Sequence, residues 1–292
     1  MKKTGSRVSF NNFIPFAALP ATFFGVYTMI YFDAPTNIWL LNLTFVFLGT
    51  FIALLFSRNP IRLNNINPIT VLIVSIILLL GTFYDDGIMH VHRWIKFNSL
   101  QMNIGLIVSP LILIQISRIP NHIIAITFSI ITIIIFILQP DASLVSAFSI
   151  AIYVLLFRKH KSKLISTSFS LFLLLMIGYS WYNLDSLEAV RFVENITNLT
   201  KEISMTLFFA SMISLLVLII PFIHYYSIKD KLSISLGIYF LVLLLTTFVG
   251  HFPVMIMGYG ISPIIGYFIG LIWQINTNSN KTRKEKILLK QT

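Results

Sequence analysis

Six residues able to bind protons, metals or phosphates fall within a dozen positions: Asp85, Asp86, His90, His92, Arg93 and Lys96, in the run DDGIMHVHRWIKFNSLQMN from Asp85 to Asn103. Only 11% of the 292 residues are charged, so this run stands out as a concentration of chemistry. An arginine here can grip phosphate oxygens bidentately, whereas a lysine acts as a point charge. The His90-x-His92 pair, with Asp85 and Asp86, has the donor types of a zinc or manganese site. No cofactor is otherwise expected, and a divalent cation is the alternative that these histidines leave open. The plainer reading of the run is an interfacial loop, with Arg93 snorkelling to lipid headgroups beside Trp94.

Three further polar stretches interrupt the apolar background. They are the turn Gln139-Pro140-Asp141, the loop from Tyr182 to Ile203 and the stretch from His251 to Pro263. The Tyr182–Ile203 loop carries Asp185, Glu188, Arg191, Glu194, Lys201 and Glu202, which include carboxylates able to take a proton from an attacking hydroxyl. Asp141 follows a proline at the entrance to an apolar run, where capping a helix is as natural as binding a ligand.

The elements that must position these residues are membrane helices. The chain is 57% apolar with a mean hydropathy of +0.87, and its apolar runs are hydrophobic all round rather than on one face. Hydropathy predicts ten spans: Ile14–Phe32, Ile38–Phe56, Ile69–Tyr84, Met102–Ile116, Ile123–Leu138, Pro140–Phe157, Leu164–Trp181, Ser204–Tyr226, Leu232–Gly250 and Val254–Ile275. Several are short for a bilayer core, which implies tilt or local thinning. Prolines 15, 20, 110 and 221 fall within them and are expected to act as kinks. The basic start MKKTGSR leads into an apolar run without a small-residue cleavage site after a short core, so it is expected to be a retained first span.

With the N-terminus in the cytoplasm, 17 of the 21 lysines and arginines fall in inside segments and eight of the ten acids fall outside. This separation satisfies the positive-inside rule and places both termini in the cytoplasm. All four polar stretches then face the outer compartment. The net charge of +11 thus reports topology, and no nucleic-acid partner is expected. There is no cysteine, which excludes disulfides and thiolate chemistry. Residues 1–275 are expected to form one polytopic domain and residues 276–292 a basic cytoplasmic tail.

Gly87 with Arg93-Trp94-Ile95, then Gln139-Pro140-Asp141, then Gly258-Tyr259-Gly260-Ile261-Ser262 before the last span resemble the SEDS glycosyltransferases, the RodA/FtsW-type polymerases of bacterial peptidoglycan. That family has a Gly…Arg-Trp-Ile stretch after its third span, a Gln-Pro-Asp turn between the fifth and sixth, and a Ser-Tyr-Gly-Gly-Ser turn before the tenth. It also has ten spans with both termini cytoplasmic. The chain departs from the pattern at Gln101-Met102-Asn103, at Ala142-Ser143 and at Ile261. Its outer loop after the seventh span lacks the Thr-Asp-Phe-Ile-Phe motif that holds the family's catalytic aspartate. Glu194 is the nearest match, with Glu202 eight positions on, and Asp185 and Glu188 are rivals in the same loop.

The resemblance implies an all-α membrane protein of the bacterial cytoplasmic membrane that polymerises a polyprenyl-pyrophosphate-linked glycan at the outer face, beside a single-span transpeptidase partner and in contact with membrane lipids. Glu194 or Asp185 would be catalytic. Arg93, Lys96, Asp141, Arg191 and Ser262 would bind substrate. The alternative is a non-catalytic transporter, lipid-handling protein or assembly scaffold on the same framework.

Overall fold

The computed structural model describes residues 13–61, 66–84, 86–97, 100–157, 163–224 and 231–288, so Asp85 lies outside the described residues. A short 3-10 turn at Ile14–Phe16 leads into α1 (Leu19–Tyr31), α2 (Thr36–Arg58) and α3 (Pro68–Gly81). A β-hairpin, β1 (Trp94–Phe97) and β2 (Leu100–Asn103), then precedes α4 (Ile104–Ile116), α5 (His122–Leu138), α6 (Ala142–Phe157) and α7 (Lys163–Tyr182). An outer helix α8 (Ile196–Ile203) follows, then α9 (Met205–Val217) with its short continuation α10 (Ile220–His224), α11 (Lys231–Thr246) and α12 (Ile261–Leu288).

This is an all-α, multi-pass membrane protein. Among the described residues four segments are long and apolar enough to cross a bilayer: Ile14–Tyr31, Thr36–Arg58, Lys163–Tyr182 and Met205–His224. Five more apolar helices, α3, α4, α5, α6 and α11, are 10–17 residues long. With α12 they reproduce the expected order of ten spans. Boundaries shift at most span ends, and two of the shifts bear on the site. Met102 belongs to β2 rather than to the fourth span. The last span begins at Ile261 rather than Val254, because residues 254–260 form an irregular turn.

Local chemistry accounts for the helix starts. Asn67, Asn103 and Asn121 each cap the helix that follows, their side-chain oxygens accepting from Ile69, Leu106 and Ile123 amides. Pro20 sits in the first turn of α1, where its missing N–H costs nothing, and Pro15 lies in the 3-10 turn, so neither kinks a helix. Pro221 does mark a break, between α9 and α10.

Packing follows from small residues where backbones meet. Helix α12 lies against α2 and α4, and α11 lies against α6. A Cβ on Gly266 of α12 would stand 2.1 Å from the carbonyl oxygen of Leu106 in α4, so only glycine permits that approach. Gly270, four residues on, faces Phe240 of α11. Small residues at such contacts let membrane helices pack closely. Large apolar side chains such as Phe23, Phe47, Leu174 and Ile213 remain exposed, as lipid-facing residues must.

Candidate functional site

The hairpin fixes the position of Arg93. β1 and β2 pair antiparallel with Trp94 opposite Asn103 and Lys96 opposite Gln101, and the Ile104 amide donates to the Arg93 carbonyl at 3.2 Å to close the base. Alternation turns Ile95 and Met102 toward the apolar core. The opposite face carries Trp94, Gln101 and Asn103 to the wall of a cavity, with Lys96 further out on that face and not lining it.

Arg93 is buried, and three segments meet on it. Its Nε donates to the Gln139 carbonyl at 3.2 Å and lies 3.4 Å from an Asp141 carboxylate oxygen. Its Nη2 donates to the Pro140 carbonyl and to the Asp185 carboxylate. Asp141 has both roles that the sequence left open: its Oδ1 accepts from the Leu144 amide at 3.0 Å, capping α6, while Oδ2 faces Arg93. Gln139 completes the cup by donating to Thr82 Oγ1 at 2.8 Å, which ties the end of α3 to the α5–α6 turn. The positive charge of Arg93 is therefore matched by two carboxylates in a buried setting.

The outer loop folds back over this hub. Phe192 and Val193 carbonyls accept from the Tyr259 and Val254 amides at 2.7 and 3.3 Å, fastening the loop to the turn before α12. Asn42, buried within α2, grips the same turn from below, donating to the Gly258 carbonyl at 2.7 Å and accepting from the Gly260 amide at 3.1 Å. Ser262 Oγ accepts from the Asn103 amide at 2.9 Å and so joins the hairpin to the start of α12.

Between these parts lies a cavity of about 410 Å3 at the end of the bundle that charge distribution assigns to the outside. Arg93, Glu188, Glu194, His251, Tyr259 and Ser262 are among its lining residues, with Leu41, Leu106 and Pro253 as apolar wall. Its size and mixed lining match those of ligand pockets. The half-buried Glu194 carboxylate accepts from the Val190 amide at 2.8 Å. Burial pushes its carboxyl above the ordinary carboxylate range, offset in part by backbone amides and by the charges of Arg93 and His251.

The residues expected to form the site thus divide. Arg93, Glu194 and Ser262 line the cavity. Asp141 and Asp185 sit behind it on Arg93. The Arg191 guanidinium lies over the rings of Phe32 and Phe192, 5.2 and 5.3 Å from their centroids, and does not line the cavity. His90 is at the exposed tip of the Ile88–Val91 turn, and His92 stacks on Phe83 at 5.2 Å. Among the described residues no three histidine, aspartate or glutamate side chains come together as a metal-binding group. Sequence reasoning assigned no role to Asn42, Thr82 or His251. The signal for Asn42 was an amide in the middle of an apolar span.

A search of solved structures finds the rod shape determining protein RodA of Thermus thermophilus, with a TM-score of 0.64 over 89% of this chain and 95% of that one, at 14% identity. The chain has the RodA fold. An aspartate-to-alanine mutant of the same RodA matches with the same score and identity over 89% of this chain and 96% of that one. No family profile matches the sequence, and neither does any curated protein. The RodA-like arrangement is thus carried by helix order and packing, with the short motifs from Arg93, Gln139 and Gly258 meeting at one end of the bundle.

Proposed function

We propose that this chain is a SEDS-like protein of bacterial cell-envelope synthesis that polymerises a polyprenyl-pyrophosphate-linked glycan in its outer cavity, with Glu194 as general base. The observation that carries the reading is a desolvated carboxylate on the wall of a cavity whose floor is a buried arginine hub. The RodA fold supports the same class of protein, since the structural neighbour is a rod shape determining protein.

In the proposed step a hydroxyl of the acceptor glycan attacks the anomeric carbon of the donor. The bond from that carbon to the pyrophosphate oxygen breaks, a glycosidic bond forms, and the hydroxyl proton passes to Glu194. A base is most useful when its pKa approaches the working pH, and burial moves Glu194 in that direction. Asp185 acts differently in this reading: bound to Arg93, it holds the outer loop over the cavity rather than accepting a proton. A single-span transpeptidase would receive the product in the same membrane, which is the bacterial cytoplasmic membrane.

Polymer formation should rise with pH through a pKa above the ordinary carboxylate range, because only the ionised base accepts the proton. Initial rates of polymer formation from a saturating fluorescent lipid-linked disaccharide, measured across pH 4.5–8, check this. Glu194→Gln should lose that limb and at least ~100-fold in rate. A wild-type profile retained in Glu194→Gln would remove the base. Tight substrate binding with no product under any condition would favour the non-catalytic relative.

A further inference from the structure

The proposed substrate carries a pyrophosphate, and the cavity's arginine is already matched. Arg93 faces Asp141 at 3.4 Å and donates to Asp185, so its charge is balanced before any ligand enters. Lys96 and Arg191, the other outer cations expected to meet phosphate, do not line the cavity. Among the described residues, the remaining one on the cavity wall able to carry positive charge is His251. Resting on the reading above, we infer that His251 is the phosphate-binding residue of the outer cavity, holding the substrate's pyrophosphate in its protonated, imidazolium form.

The surroundings give that role a chemical basis. His251 is exposed at the start of the turn before α12, with Nδ1 3.4 Å from the Leu187 carbonyl and Nε2 without a bonding partner among the described residues. With the proton of the neutral ring on Nδ1 toward that carbonyl, Nε2 presents a lone pair, which repels an anion. Protonation turns Nε2 into a charged donor. The titratable and charged groups sharing the cavity are Glu188 and Glu194 from the outer loop, Arg93 from the base of the hairpin and Tyr259 from the same turn. Glu188 and Glu194 oppose an anion, and Arg93 has its charge engaged. The start of α12, at Ile261 and Ser262, also lines the cavity and adds the favourable end of a helix dipole to the same side.

The two sets of charges can be separated by experiment. A lipid-linked disaccharide has its pyrophosphate esterified at both ends, so the ligand's charge is constant between pH 5.5 and 8.5. Its binding to detergent-solubilised full-length protein is measured at both pH values for wild type, His251→Gln and His251→Lys. Glu188 and Glu194 are present in all three proteins, which differ only at residue 251. At pH 5.5 the wild type should bind about tenfold more tightly than His251→Gln, the scale of one charge-assisted hydrogen bond. At pH 8.5 that gap should close, while His251→Lys keeps the tighter binding. Equal affinity of wild type and His251→Gln at both pH values overturns the assignment but leaves the glycan-binding reading intact. No binding by any of the three at either pH overturns that reading, and this inference with it.

Discussion

Arg93→Ala is expected to lower stability by about 3–5 kcal/mol, the usual cost of removing one partner from a buried charge cluster. The loss comes less from the missing attraction than from what remains. Asp141 and Asp185 would be left without their shared cation, and the carbonyls of Gln139 and Pro140 without a donor. Thermal unfolding in detergent, followed by tryptophan fluorescence, measures the effect. Arg93→Lys should recover only part of it, since an ammonium lacks the planar fork that serves several acceptors at once. Adding Asp141→Asn and Asp185→Asn to Arg93→Ala should restore part of the stability, because the orphaned charges disappear and asparagine caps α6 as well as aspartate does, while the Gln139 and Pro140 carbonyls still lack the Arg93 donor. An Arg93→Ala protein within about 1 kcal/mol of wild type would show that Arg93 is solvated rather than a buried hub.

Gly266→Ala is expected to destabilise by about 1–3 kcal/mol, with Gly266→Leu worse, because the new Cβ meets backbone rather than a yielding side chain. The ideal Cβ lies 2.1 Å from the Leu106 carbonyl oxygen and 3.1 Å from its carbon. Relief requires α12 to move away from α4. Leu106 and Ser262 both line the outer cavity, so ligand binding should weaken along with stability. Gly178→Ala is the control: it lies in α7 with nothing within 4 Å of its Cβ, and helix propensity makes the change neutral or stabilising by up to about 1 kcal/mol. Equal unfolding temperatures for the two alanine variants would refute the close α4–α12 packing.

The helices were legible because each span is an uninterrupted apolar run. The second was expected at Ile38–Phe56 and runs Thr36–Arg58, bounded by Pro35 and a charged end. The hairpin was not legible: its strands have four residues each, too few for alternation to declare itself inside a polar loop. Residues 254–260 read as the start of a span because Val254, Met255, Ile256 and Met257 are apolar. Backbone bonds to Phe192 and Val193, and the grip of Asn42, instead hold them as a turn.

In the candidate site, Asp141 could be read as a cap because capping is local. The Arg93–Asp185 pair spans 92 positions, a contact made by folding the outer loop rather than by any local pattern. His251 stood in a stretch already marked as polar, but its importance rests on a charge balance visible only once Arg93 is seen to be engaged.

The measurement that tests the central claim most directly is polymer formation from a fluorescent lipid-linked disaccharide by purified protein in liposomes, comparing wild type, Glu194→Gln and Glu188→Gln, each checked for folding by its unfolding temperature. Both glutamates line the cavity, and burial pushes the Glu194 carboxyl upward. Polymer from wild type and Glu188→Gln, with product all but absent from a folded Glu194→Gln, is the predicted result. Polymer formed at the wild-type rate by Glu194→Gln would contradict it.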